Sequence, residues 1–175
     1  MKLYHYVKSG NTVLKDGLMS FAANPNADLS YYIKRSGADT HEGIVAWMEK
    51  CFTGRSRCIR MLSEPVQWTP KSEKMWKAFV SDADRFTIDV SAMEADGLIE
   101  AIYVSPPIAV NDPSGIQYDV DEELQTLKSV GDIPAYPVDW TKCDDELGLR
   151  FSVIPYYLLC IKGGVIPPRY IHKEN

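Results

Sequence analysis

Tyr156-Tyr157-Leu158-Leu159-Cys160-Ile161-Lys162-Gly163-Gly164-Val165-Ile166-Pro167-Pro168-Arg169-Tyr170-Ile171 is the stretch that decides the fold. Its aromatic and branched residues make two strand-like runs separated only by Gly163-Gly164, and Pro167-Pro168 confines the second run to a sheet edge, because proline cannot donate to a ladder. Pro155 separates this pair from a further strand-like run over residues 149–154. Strand follows strand here without an intervening helix. That order argues for antiparallel pairing and against a doubly wound parallel sheet.

Working outward to the N-terminus, residues 3–7 read as a first strand, followed by a Ser9-Gly10-Asn11 turn and a small helix or bend at Val13-Leu14. Residues 28–35 suit about two helical turns before Gly37. The best helix runs from 40 to 53. Thr40 is its N-cap, and Ile44, Trp47, Met48, Cys51 and Phe52 recur at i, i+3, i+4, i+7 and i+8 as one buried stripe. Residues 58–62 are strand-like and end at Glu64-Pro65, and Thr69-Pro70 opens a second amphipathic helix over 70–80.

Phe86-Thr87-Ile88-Asp89-Val90 alternates as a half-buried strand. Ser91-Ala92-Met93-Glu94 has capping-box spacing for a short helix. Residues 99–104 follow as a strand, 106–115 as a surface loop, and 121–130 as a helix with acidic residues in its first turn. The expectation is α+β: one domain over residues 1–175, with a mainly antiparallel sheet, single or split, flanked by the helices at 40–53 and 70–80.

A chain of 175 residues with 45% hydrophobic and 25% charged residues fits one soluble globular domain, and excludes a disordered or coiled-coil chain. No apolar run approaches the roughly 20 residues that span a bilayer, and the N-terminus has no secretory leader. Cys51, Cys58, Cys143 and Cys160 form no C-x-x-C pair, which points to reduced thiols in a cytoplasm-like compartment, delivery into a host cell being compatible with the same features. The net charge of −5 argues against nucleic acid as the partner. Its distribution is uneven: residues 1–60 hold nine Lys/Arg and five Asp/Glu, whereas residues 119–146 hold nine Asp/Glu and two Lys. Two solvated faces account for this, as does a basic cleft with an acidic flank.

The densest basic cluster is Lys50-Cys51-Phe52-Thr53-Gly54-Arg55-Ser56-Arg57-Cys58-Ile59-Arg60. In extended chain Arg55 and Arg57 share a face, and two forked guanidiniums suit a phosphate or pyrophosphate. Pairing with the acidic segment 119–146 is the structural alternative. His5 sits in an aromatic first strand and is either a site residue or a core histidine held by backbone groups. Zinc would need His5, His41, Cys51 and Cys58 at long, irregular separations, so no metal is expected. Cys51 on the apolar stripe and Cys160 within Leu-Leu-Cys-Ile read as inert core thiols rather than nucleophiles. No phosphate-binding G-x-x-x-x-G-K-[ST] or G-x-G-x-x-G motif occurs.

The opening Leu3-Tyr4-His5-Tyr6-Val7 with Val13-Leu14-Lys15-Asp16-Gly17-Leu18-Met19-Ser20 resembles the start of several families of the ADP-ribosyltransferase superfamily. The closing Tyr157-Leu158-Leu159-Cys160-Ile161 and Val165-Ile166-Pro167-Pro168-Arg169-Tyr170-Ile171 resembles its terminal strand pair. The resemblance implies a split sheet holding NAD as co-substrate, with His5 as the ribose anchor and Tyr31 or Tyr32 stacked on nicotinamide. Arg55 and Arg57, read above as suited to pyrophosphate, would then hold that part of NAD, and the resemblance implies ADP-ribose transfer to a macromolecular acceptor. The same His and Arg set fits transfer of an RNA 2′-phosphate to NAD. The chain departs from the family near Pro155-Tyr156-Tyr157, where a glutamate is expected and no carboxylate stands. Glu146 is too far upstream to substitute, and Glu64 serves only if the strand after the arginines reaches the cleft. From another class, the acidic face and the four Trp and ten Tyr suit a non-catalytic interaction module, an effector or immunity-type partner.

Overall fold

A run of residues with branched or aromatic side chains is most fully buried where both of its edges find partners. β4 (Ala83–Asp89) finds both, lying between β1 (Lys2–Lys8) and β9 (Ile171–Lys173) in the order β1-β4-β9. This computed structural model describes residues 1–65, 82–105, 124–134 and 156–175. Phe86, Thr87 and Ile88 of β4 are all buried, so the central strand is covered on both faces rather than half-buried. Burying a side chain of the size of Phe86 or Ile88 contributes about 1.5–3 kcal/mol.

A second sheet has the order β3-β7-β5-β6, built from Cys58–Met61, Tyr156–Ile161, Ile99–Ser105 and Gln125–Leu127. Its centre is β7, where every side chain from Tyr157 to Ile161 is buried. A two-stranded ribbon pairs β2 (Leu18–Met19) with β8 (Val165–Ile166). Among the described residues all pairings are antiparallel, and the fold is α+β. The two larger sheets meet at one bridge, where Tyr4 and Leu62 exchange backbone hydrogen bonds of 2.8 and 2.9 Å. The sheet is therefore split, and one apolar cluster including Leu3, Met61, Ile88 and Tyr157 spans the junction.

The helices are short. α1 (Val13–Asp16) is a single turn, α2 (Ser30–Ser36) ends at Gly37 in the left-handed region, and α3 (His41–Cys51) starts at Thr40, whose Oγ1 accepts from the Gly43 amide at 3.0 Å. Ile44 and Met48 of α3 are buried. Its apolar stripe stops a turn early: the backbone becomes extended at Phe52, and Cys51 is exposed, its thiol turned back onto the Trp47 carbonyl at 3.6 Å.

Three other expectations are corrected. The helix α4 (Val90–Ala95) follows β4 without a break, so Asp89 rather than Ser91 is its cap, accepting from the Ala92 amide at 3.0 Å; Glu94 instead accepts from the Val130 amide at 2.7 Å. The expected helix over 121–130 contains a strand, because Gln125-Thr126-Leu127 completes the open edge of β5. The run 165–171 is not one edge strand. Pro168 opens a 3-10 turn over Pro168–Tyr170, which carries the chain from β8 in the ribbon to β9 in the first sheet. The expected helix over 70–80, the loop over 106–115 and the strand over 149–154 lie outside the described residues.

Candidate functional site

Past the Tyr4–Leu62 bridge, β1 and β3 diverge, and a side chain takes over from the backbone ladder. His5 Nδ1 lies 2.6 Å from the Arg60 carbonyl oxygen, and since a carbonyl only accepts, Nδ1 carries the proton. Desolvation by burial is the main influence on the ring and holds its pKa below the ordinary histidine value; the Arg60 carbonyl opposes this, and the Arg60 charge adds to it. His5 is therefore a neutral imidazole of fixed tautomer near neutral pH. Its Nε2 keeps a lone pair that meets no hydrogen-bond partner among the described residues. The backbone-held histidine and the site histidine are thus one arrangement, with one nitrogen spent and one available.

Beside this junction stands an aromatic group supplied by α2, α3 and the segment before them. Phe21 stacks on His41 at 4.8 Å, and the His41 Nε2 donates to the Phe21 carbonyl at 2.7 Å. Tyr32 meets Phe21 and Tyr31 edge-on, both at 5.0 Å, and Trp47 at 6.5 Å. Tyr31 is 58% exposed and carries the Arg35 guanidinium over its ring at 4.6 Å. Burial raises the Tyr32 phenol above its ordinary range, while the charges of Arg55, Arg60 and Arg35 pull it down. Arg60 acts on both His5 and Tyr32, and Arg55 acts on Tyr32, which brings these four residues into one electrostatic neighbourhood.

Arg57 has a different setting. The segment Arg55–Arg57 is a 3-10 turn, in which residues two apart point in different directions, so the shared face expected of extended chain does not exist. Arg57 donates through Nε and Nη2 to one oxygen of Glu100, at 3.2 and 2.8 Å, and lies 3.7 Å from Glu49. Among the described residues its carboxylate partners are on α3 and β5; most of the acidic segment 119–146 lies outside the described residues. Arg57, and secondarily Cys160, hold the Glu100 carboxyl below the usual carboxylate range. Glu49 also accepts from the amides of Gly54 and Ser56, each at 3.1 Å, and so fixes the turn that presents Arg55.

Glu64 lies two residues beyond the bridge, on the side away from Arg60. Four residues of extended chain separate it from Arg60, a span of up to about 13 Å. The arrangement thus collects His5, Tyr32, Arg55 and Arg60, with Tyr31 on the exposed rim, while Arg57 is tied to carboxylates and Glu64 is set apart along the chain. Arg60 was legible only as the last residue of the basic cluster. Glu49 and Glu100 carried no motif; the one available signal was a carboxylate interrupting an apolar strand at Glu100, where the β5–β7 register shifts.

Among the described residues no cluster of three or more His, Cys, Asp or Glu side chains could hold a metal ion, and no helix is long and apolar enough to cross a membrane. Compared with protein-family models, curated proteins and solved structures, the chain matches none.

Proposed function

We propose that the chain binds NAD or a related ADP-ribose compound at the divergence of β1 and β3, and transfers ADP-ribose to a macromolecular acceptor. The observation that carries this reading is the state of His5: a neutral ring whose Nδ1–H is committed to the Arg60 carbonyl and whose Nε2 remains an acceptor. Such a nitrogen suits a ribose hydroxyl. Tyr32 and Tyr31 offer ring faces and edges to nicotinamide, and Arg55 and Arg60 offer positive charge to a pyrophosphate in a chain whose net charge is −5. Arg57 is a positioning residue in this scheme, bound to Glu100 and Glu49 beneath the turn. Nicotinamide departs with the electron pair of the glycosidic bond, leaving positive charge on the ribose that a nearby carboxylate stabilises. Glu64 is the carboxylate the sequence offers for that step, and it would have to be reached across the Tyr4–Leu62 bridge from the His5 side.

A ligand that binds only the native state raises its apparent stability, by about 2.7 kcal/mol at a hundred times its dissociation constant. Thermal unfolding is therefore measured with NAD, ADP-ribose and pyrophosphate in parallel, on wild type, His5→Ala and Arg55→Ala. The expected result is stabilisation by NAD and ADP-ribose that both substitutions abolish. No shift at saturating dinucleotide sinks the proposal.

A second reading, a protein-interaction module, is favoured by α2, which has no buried residue and exposes Tyr31 and Ile33. It predicts a complex with a basic protein, weakened by salt and by charge reversal at Asp121, Glu122 and Glu123.

A further inference from the structure

Cys58 and Cys160 stand directly opposite each other in the β3–β7 ladder. Both are buried, and both sulfurs lie 3.4 Å from the same Gly54 carbonyl oxygen, so they leave the sheet on one face and converge. Opposed residues of an antiparallel pair have Cβ atoms about 4.5–5.5 Å apart, and a disulfide needs about 3.5–4.5 Å, so closure takes an approach of about 1 Å. Cys160 Sγ also lies 3.3 Å from the Glu100 carboxylate, which is one-third exposed. The sulfur is thus one contact from solvent, within reach of an oxidant the size of water.

We propose that Cys58 and Cys160 are a redox pair, closed to a reversible cross-strand disulfide by hydrogen peroxide or a peroxide of similar size. Cys160 is the attacking thiol. Hydrogen bonding from Cys58 holds it below the ordinary thiol range, with the Arg57 charge assisting, against burial and the Glu100 carboxylate. Its thiolate takes one peroxide oxygen and releases hydroxide, giving a sulfenic acid. The Cys58 sulfur then attacks that sulfur and displaces water, its proton leaving with the departing oxygen. The sum is two thiols and one peroxide to one disulfide and two waters. Closure removes both S–H protons, which in the reduced protein are shared among the Gly54 carbonyl, the Glu100 carboxylate and the facing sulfur, so the turn bearing Arg55 and Arg57 loses contacts that the reduced protein has.

The test uses the full chain with Cys51→Ser and Cys143→Ser, leaving one pair of thiols, treated with hydrogen peroxide and read as intact mass. The expected result is a loss of about 2 Da, loss of both thiols to maleimide after denaturation, and recovery of both with dithiothreitol. Peptide mapping of oxidised wild-type protein reads the same link without any substitution, and should join residues 58 and 160. Gain of oxygen with no loss of 2 Da, two thiols still open to maleimide, or a link through Cys51 or Cys143 in place of this pair overturns the proposal.

Discussion

Arg55 and Arg57 are two residues apart in one turn, yet they serve two different regions. On the Arg57 side, every group is answered: Glu100 and Glu49 neutralise the guanidinium, Glu49 takes two turn amides, and the thiols of Cys58 and Cys160 fill the space beneath Gly54. On the Arg55 side, the Arg55 charge acts on the buried Tyr32 phenol, and His5 is a neutral ring whose Nε2 meets no hydrogen-bond partner among the described residues. The first region has the character of a fastener and the second that of a receptor. An arginine count cannot separate them, because the difference lies in which elements the turn brings up against each guanidinium.

The comparison breaks first at Gly54, the residue on which both regions hinge. Its φ is +91°, and a Cβ there would stand 2.9 Å from the Sγ of buried Cys160. Gly163 has a similar positive φ of +71° with nothing within 4 Å of a Cβ. Gly163→Ala should therefore carry only the left-handed backbone cost, about 1–2 kcal/mol. Gly54→Ala adds overpacking and should lose roughly 3 kcal/mol in urea unfolding. Equal losses at the two positions would mean that the Arg57 side is not tightly packed.

The receptor side is sharpened by pH. Because burial lowers the folded-state pKa of His5, the unfolded chain binds more protons between the folded value and about pH 6.5. Stability from this group is complete above about pH 6.5 and falls as pH drops through that window, with a limiting slope of about 1.4 kcal/mol per unit. Unfolding measured from pH 7.5 downward should show this slope in wild type and lose it in His5→Gln. An imidazole resonance titrating above the ordinary histidine value would contradict the neutral ring and with it the acceptor role of Nε2.

Much of the fold was readable because its strands are dense in β-branched and aromatic residues and because strand follows strand at the C-terminus. Thr40 as a cap and the register of Ile44 and Met48 were equally plain, since both are local patterns. What sequence could not settle depended on partners distant along the chain. Gln125-Thr126-Leu127 pairs as a strand only because β5 has an open edge, and the acidic residues before it suggested a helix. Asp89 captures the cap of α4 because β4 delivers it there, although Ser91 and Glu94 have the better local spacing. At the site, His5 stood out by type and place, and Tyr31 and Tyr32 entered together through the resemblance, but the separation of Arg55 from Arg57 required knowing that the chain turns as a 3-10 helix before the strand begins.

That separation has a quiet signature, the smallest of the expected effects. Arg55 is the leading cation acting on the Tyr32 phenol, followed by Arg60 and Arg35, and Arg57 is not among them. Arg55→Ala should raise the Tyr32 pKa further, because burial then acts with less opposition, while Arg57→Ala should leave it in place. Both substitutions should change stability by little: Arg57 and Glu100 are each about one-third exposed, and solvent-screened pairs of this kind contribute about 0–1 kcal/mol. Tyrosine ring carbons labelled with ¹³C and followed from neutral to alkaline pH distinguish Tyr32 from the other tyrosines. A Tyr32 titration that moves with Arg57 but not with Arg55 would reverse the assignment of fastener and receptor. If neither moves it, the guanidiniums are too well screened to meet a pyrophosphate beside this ring, and the anion would have to be held by Arg60 from the β3 side.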